Sequence, residues 1–310
     1  MDKKLVISAS PHITDSSTTR GLMLNVIIAL LPTAVVSGII FGARSLLVIG
    51  VTAAACVGFE AIYNILMKKP QTVGDLSAVV TGIILAFNLP STIPLWIAIV
   101  GAFIAIVVTK QLFGGLGCNF ANPALVGRIA LFIGFASRMT TYGFPAKAAV
   151  DALATATPLA TSGAFSGMSV FGTLLLGNYG GVLGETCSLT LIIGGIFLIV
   201  TKTIDFMIPA AYIGTVAVLS LVLGQDVVLQ LLSGGLLLGA FFMATDYVTS
   251  PFTLKGKLIY GIGLGVLTCL IRFYGTMAEG VSFSLLLMNL LVPYINKATR
   301  QIPLGGAKKK

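Results

Sequence analysis

From Gly21 to Phe41 the chain runs without one charged side chain, and comparable apolar runs recur along most of its length. A helix of about 20 residues crosses the hydrocarbon core of a bilayer. In that core every backbone N–H and C=O must be paired internally, which leaves helices and closed barrels as the only spanning structures. The alternating pattern of barrel strands is absent. The fold class is therefore all-α, a polytopic membrane protein. Composition agrees: of 310 residues 56% are hydrophobic and 9% charged, with mean hydropathy +1.02, whereas a soluble domain carries about a quarter charged residues. In a soluble chain a net charge of +9 would suggest nucleic acid. Here the basic residues sit at the ends of apolar runs, where they set orientation; no nucleic acid is implied, and membrane lipid is the surrounding partner. The first run is too long for the core of a signal peptide, so no cleaved targeting segment is expected.

Ten transmembrane helices are expected, at roughly 21–41, 46–67, 75–88, 93–112, 120–136, 186–201, 204–223, 228–244, 257–274 and 281–295. They divide the chain into a cytoplasmic segment 1–20, a first five-helix unit 21–136, an extracytoplasmic loop 137–184, a second five-helix unit 185–295 and a basic cytoplasmic tail 296–310. With both termini inside, Lys3, Lys4, Arg20, Lys68, Lys69, Lys110, Lys202, Lys255, Lys257, Lys297, Arg300 and Lys308 to Lys310 share one face. Arg44, Arg138 and Lys147 fall outside, an asymmetry that follows the positive-inside rule. A faint internal repeat agrees. Gly82-Ile-Ile-Leu-Ala-Phe-Asn-Leu-Pro90 is echoed by Gly239-Ala-Phe-Phe-Met-Ala-Thr-Asp-Tyr247, and Lys110…Gly117-Cys-Asn-Phe120 by Arg272…Gly280-Val-Ser-Phe283. An odd number of spans per repeat forces opposite orientations, so the two units should be inverted repeats with broken or re-entrant helices near the midplane. The short third span, ending at Asn88-Leu-Pro90, and the apolar piece 168–176 fit such interruptions.

Few side chains stand out chemically. Glu60 lies about two turns inside the second span. An intramembrane carboxylate is either part of an ion path or held by a structural partner. Arg128, inside the fifth span, should meet a carboxylate, a phosphate or a wet cavity. His12, the single histidine, reads as a surface residue, and no cysteine pair has the spacing of a metal site. No catalytic group and no metal are expected. In the long loop, Asp151-Ala-Leu-Ala-Thr-Ala-Thr-Pro158 combines small residues at Ala152, Ala154 and Ala156 with the hydroxyls of Thr155 and Thr157, and Pro158 opposes a helix just beyond. Such a segment is open to a modifying enzyme, although a helix start capped by Asp151 would be spelled much the same way.

The order of spans, the N-terminal Ser-Pro-His, Asn122-Pro-Ala-Leu125, the motif ending at Pro158, Met243-Ala-Thr-Asp-Tyr-Val-Thr-Ser-Pro251 and Asn289-Leu-Leu-Val-Pro-Tyr294 together resemble the RnfD family of the Rnf complex. That family is related to NqrB, a membrane component of the sodium-pumping NADH:quinone reductase. The resemblance covers nearly the whole chain, and the short N-terminal region favours the Rnf branch. It implies FMN joined by a phosphodiester to the threonine before the proline, here Thr157, with Asp151, Thr155, Ala156 and Pro158 around it. Ala154-Thr-Ala-Thr157 departs from the family's Ser/Thr-(Gly/Ala)-Ala-Thr spelling, which leaves Thr155 as the competing site. A dedicated flavin transferase would install the group, and a second, non-covalent flavin such as riboflavin is also implied. The implied role is that of a membrane component, not catalytic alone, in the cytoplasmic membrane. It would pass electrons between redox centres of partner subunits, in ferredoxin and NAD oxidoreduction coupled to Na+ or H+ transport. The implied partners are the flavin-bearing RnfG, the membrane proteins RnfA and RnfE and the peripheral RnfC. A rival from another class is a solute channel or secondary transporter, since inverted repeats with broken helices are a transport architecture.

Overall fold

The computed structural model describes residues 17–143, 170–177, 179–185, 187–275 and 280–300. All regular structure among them is helical, apart from two isolated bridges, Pro90 with Val182 and Gly143 with Gly181. In order, α1 is Thr19–Phe41, α2 Ala43–Leu66, α3 Ser77–Phe87 and α4 Leu95–Phe103, which continues as a π-helix over Ile104–Gln111. Then come α5 Pro123–Gly134, α6 Ala136–Met139, α7 Val170–Leu176, α8 Ser188–Val200, α9 Met207–Val222 and α10 Val227–Leu232. The short α11 Leu236–Leu238 continues as a π-helix over Gly239–Met243, and α12 Leu254–Tyr274 and α13 Val281–Ala298 complete the order.

Four helices, α1, α2, α12 and α13, are long and apolar enough to cross a membrane, and α3, α4 with its π-helical continuation, α5, α8 and α9 are shorter apolar helices. Only 28% of the most apolar window of α1 is buried by the rest of the chain. Leu31, Val35 and Ile39 stand more than half exposed. A surface of that kind is compatible with lipid and not with water.

Local chemistry sets the helix ends. Thr18 and Thr253 accept from the backbone N–H groups of Gly21 and Gly256, and Asn122 accepts from Ala124 with Pro123 at the first helical position. The expected span at 228–244 is interrupted: α10 stops at Ser233, and Gly234 and Gly235, both at φ +68°, turn the chain before α11. Glycine alone adopts that conformation without a Cβ clash.

Packing falls into two sets. In the first, α2 packs on α3 and α4, and α5 on the π-helical end of α4; in the second, α9 and α13 pack on α12. Across the division α1 lies against α8 and α5 against α13. Small residues permit these approaches. A Cβ on Gly82 would lie 2.6 Å from Ala53 Cα, and one on Gly194 would lie 2.5 Å from the Ala29 carbonyl oxygen, the close backbone contact by which membrane helices associate. We call the end of the bundle where α1 starts proximal, and the end where it finishes distal.

Candidate functional site

Three polar clusters follow the division between the two helix sets. At the proximal end Glu60 of α2 is fully buried and Lys110, on the π-helical end of α4, is 2% exposed. Their Nζ–Oε2 distance is 2.9 Å. Lys110 Nζ also donates to Ser77 Oγ at 2.6 Å, and Ser77 Oγ donates to Asp75 Oδ1 at 2.5 Å. On the other side Thr72 Oγ1 donates to Glu60 Oε1 at 2.5 Å, and Asn64 Nδ2 donates to Thr72 Oγ1 at 3.0 Å. The chain between α2 and α3 thus folds back into the bundle, and Leu76 is held at φ 64° between Asp75 and Ser77. Non-glycine residues in that region are strained and are retained where surrounding contacts enforce them. The sequence groups Lys110 with the surface charges of one face; the structure instead buries its ammonium and pairs it with Glu60. The π-helical turn, a feature frequent at functional sites, carries Lys110 in a stretch whose last residues, Thr109 to Gln111, are buried.

Beside this pair a cleft opens between the two sets. Val80, Ile84, Phe241 and Phe242 form apolar walls, and Lys110, Thr81, Asn119 and Asn122 supply polar groups. Asp246 lies at its edge, its Oδ2 accepting from Thr249 Oγ1 at 3.0 Å. Further along the division Arg128 of α5, 6% exposed, donates from Nη1 to Asn88 Oδ1 at 2.8 Å and to Ser282 Oγ at 2.7 Å. It ties the end of α3 to the start of α13.

The distal cluster surrounds Glu185, 2% exposed, whose Oε1 accepts from the N–H of Gly234 in the break between α10 and α11. Arg272 of α12 holds the same break. Its Nη1 donates to the Gln230 carbonyl at 2.7 Å and to Gln230 Oε1 at 3.1 Å, and its Nη2 donates to the carbonyls of Ser233 and Gly234 at 3.1 and 3.2 Å. Glu185 lies within electrostatic reach of both Arg128 and Arg272, so a carboxylate, one of the three surroundings expected for Arg128, is near it.

At the proximal rim Lys257 Nζ donates to Asp205 Oδ2 at 2.7 Å, and that hydrogen bond holds the Asp205 carboxyl below its ordinary range. It is a partly exposed pair, its side chains 21% and 34% exposed.

Of the residues that stand out in the sequence, Glu60 and Arg128 are brought into buried networks; Asp151, Thr155, Ala156, Thr157, Pro158 and His12 lie outside the described residues. Glu185 escapes sequence reasoning because the apolar pattern starts the sixth span at residue 186. Its only sequence signal is an acidic residue three positions before the apolar run that begins at Ser188.

The NQR2, RnfD, RnfE family matches residues 6–305. The D component of the Na+-translocating ferredoxin:NAD+ oxidoreductase complex of Acetobacterium woodii is 46% identical over 99% of this chain and 97% of its own length. The D component of the proton-translocating ferredoxin:NAD+ oxidoreductase complex of Clostridium ljungdahlii is 40% identical over 96% of each. The D component of the ion-translocating oxidoreductase complex of Marinobacter nauticus is 37% identical over 99% and 97%. With its apolar helices and a match over nearly its full length, the chain belongs to the NQR2, RnfD, RnfE family.

Proposed function

We propose that this chain is a membrane subunit of an ion-translocating ferredoxin:NAD oxidoreductase complex that passes electrons between redox centres of its partner subunits. The observation that carries this reading is the near full-length similarity to the D components of such complexes. In the same reading the proximal end is cytoplasmic and the helices form two inverted five-helix repeats in the cell membrane. The pairing of α1 with α8 and of α5 with α13, each joining equivalent positions of the two units, supports that symmetry. Partners would be the other subunits of the complex and a flavin transferase acting on Thr157.

Bound flavin would supply one- and two-electron transfer. Thr157 would provide the attached oxygen, with Pro158 keeping the segment out of a helix. A phosphodiester leaves the ring chemically unaltered, so the surrounding protein would set its potential. For the second, non-covalent flavin the proximal cleft is the candidate site. Phe241, Phe242 and Ile84 would cover the faces of a flat aromatic ring, while the amides of Asn119 and Asn122 would meet its polar edge.

Glu60 is our candidate for the ion path. Glutamine keeps one oxygen, which can serve Lys110 Nζ or Thr72 Oγ1 but not both, and it leaves Lys110 without its counterion. In Glu60→Gln complexes that assemble with the flavin attached, ion uptake per electron transferred should be lower, whereas a purely structural Glu60 would lower assembly and both activities together. Uptake and electron flux measured side by side in reconstituted vesicles check this; an unchanged ratio in the assembled variant removes Glu60 from the path.

The proposal as a whole is tested in vesicles containing the complex with and without this chain. Ferredoxin-driven NAD reduction and ion uptake should both disappear without it. If both persist, and the chain alone makes vesicles permeable to a small neutral solute, the channel reading takes its place.

A further inference from the structure

At the distal end a short strap, Tyr179 to Glu185, crosses from one helix set to the other. Its attachment to the first set is made of backbone pairing. Leu183 N donates to the Leu89 carbonyl at 3.1 Å and Gly184 N to the Phe87 carbonyl at 2.8 Å, with Val182 bridged to Pro90. Gly184 permits the approach, since a Cβ there would fall 2.4 Å from Phe87 Cβ. Tyr179 Oη donates to the Glu185 carbonyl at 2.8 Å and fixes the strap's own turn.

Attachment to the second set is of a different kind. Tyr179 packs with Leu229 of α10 in a small buried apolar cluster, and the polar part of the attachment is the Glu185 carboxylate, which reaches the break between α10 and α11 through the Gly234 N–H and the charge of Arg272. Glu185 Oε2 and Arg272 Nε are both buried, and neither has a hydrogen-bonding protein partner among the described residues. Buried charged groups with unmet hydrogen bonds are unfavourable, and water reaching either atom would satisfy it. Of the strap's polar attachments, the one to the α10–α11 break carries these unmet groups and is thus the easier to release.

We infer that Glu185 is a clasp that closes the distal end of the division between the helix sets and releases the α10–α11 break during turnover. Glu185 acts as a positioning residue, through Gly234 and Arg272. The strap is the return limb of the loop that contains Thr157, so its release would join changes in that loop to access along the polar column of Arg128, Asn88 and Ser282. The inference rests on the coupled-complex reading above.

The test uses the whole complex in right-side-out vesicles that enclose ferredoxin, NAD and a ferredoxin-reducing system, with Cys187→Ala to clear the background and Ser233→Cys as reporter, labelled from outside by a membrane-impermeant maleimide. Ser233 is 1% exposed, so labelling should be slow at rest and faster when ferredoxin and NAD drive turnover. Adding Glu185→Gln should make labelling fast without turnover and let an imposed ion gradient decay in the absence of electron donor. Should Glu185→Gln fail to assemble, the turnover dependence of the Ser233→Cys protein decides alone. A labelling rate indifferent to turnover overturns the clasp. If the wild-type complex takes up no ions on ferredoxin oxidation, the coupled-complex reading falls, and the clasp with it.

Discussion

Lys110→Met should destabilise the protein by about 3–5 kcal/mol, the usual consequence of removing one partner of a buried ion pair. The effect is large because Glu60 is fully buried, and among the described residues Thr72 would remain its single neutral hydrogen-bond donor. The unpaired carboxylate would then have to remain charged without a counterion or take up a proton, and both are unfavourable. Ser77 would also lose a charged donor while still donating to Asp75. Thermal unfolding of the purified protein in detergent gives the measurement, with Glu60→Gln and the double variant completing a cycle. Lys110→Met should be the least stable of the three, and the double variant should regain part of the loss, since it strands no charge. A Lys110→Met transition that coincides with wild type would show that water, and not Lys110, balances Glu60.

How far the sequence anticipates this molecule depends on which physical signal each residue gives. Apolar runs announce the class at once, because length and absence of charge are the whole requirement for spanning. The stop of α3 before Asn88-Leu-Pro90 is legible from the proline. The break at Ser233–Gly235 is not, since one Ser and two Gly inside an otherwise apolar stretch do not by themselves end a helix. Lys110 is hidden for a related reason. A lysine at the end of a span reads as an interfacial charge, and only the fold-back of residues 72–77 against α2 turns that position into a buried site. Glu60 invites a partner by its depth, yet its partner comes from a helix 50 residues away, and no local pattern encodes that pairing. Glu185 shows the limit most clearly: it lies in the connection before α8, as the span boundary implies, yet nothing in the local pattern shows that this connection folds into the bundle and buries the carboxylate.

The second large effect is all-or-none. If Thr157 carries the flavin, Thr157→Ala should abolish covalent attachment, because alanine offers no oxygen for a phosphodiester. Thr155→Ala should leave it intact, since the threonine beside Pro158 is the one the family pattern designates. The variants should fold and assemble like wild type, because the change removes a hydroxyl from a segment already built of small residues. Electron flux through the complex should fall with the loss of the attached carrier, while the buried Glu60–Lys110 network is untouched. Fluorescence that survives Thr157→Ala and vanishes with Thr155→Ala would move the attachment two residues back and leave the electron-carrier role in place.

The most direct measurement is peptide mass analysis of the chain produced together with a flavin transferase, with in-gel fluorescence under ultraviolet light as the rapid screen. The peptide containing Asp151–Pro158 should gain the mass of FMN less one water, localised by fragmentation to Thr157. A chain that assembles with its partners yet carries no flavin on any residue of that peptide would contradict the electron-carrier role.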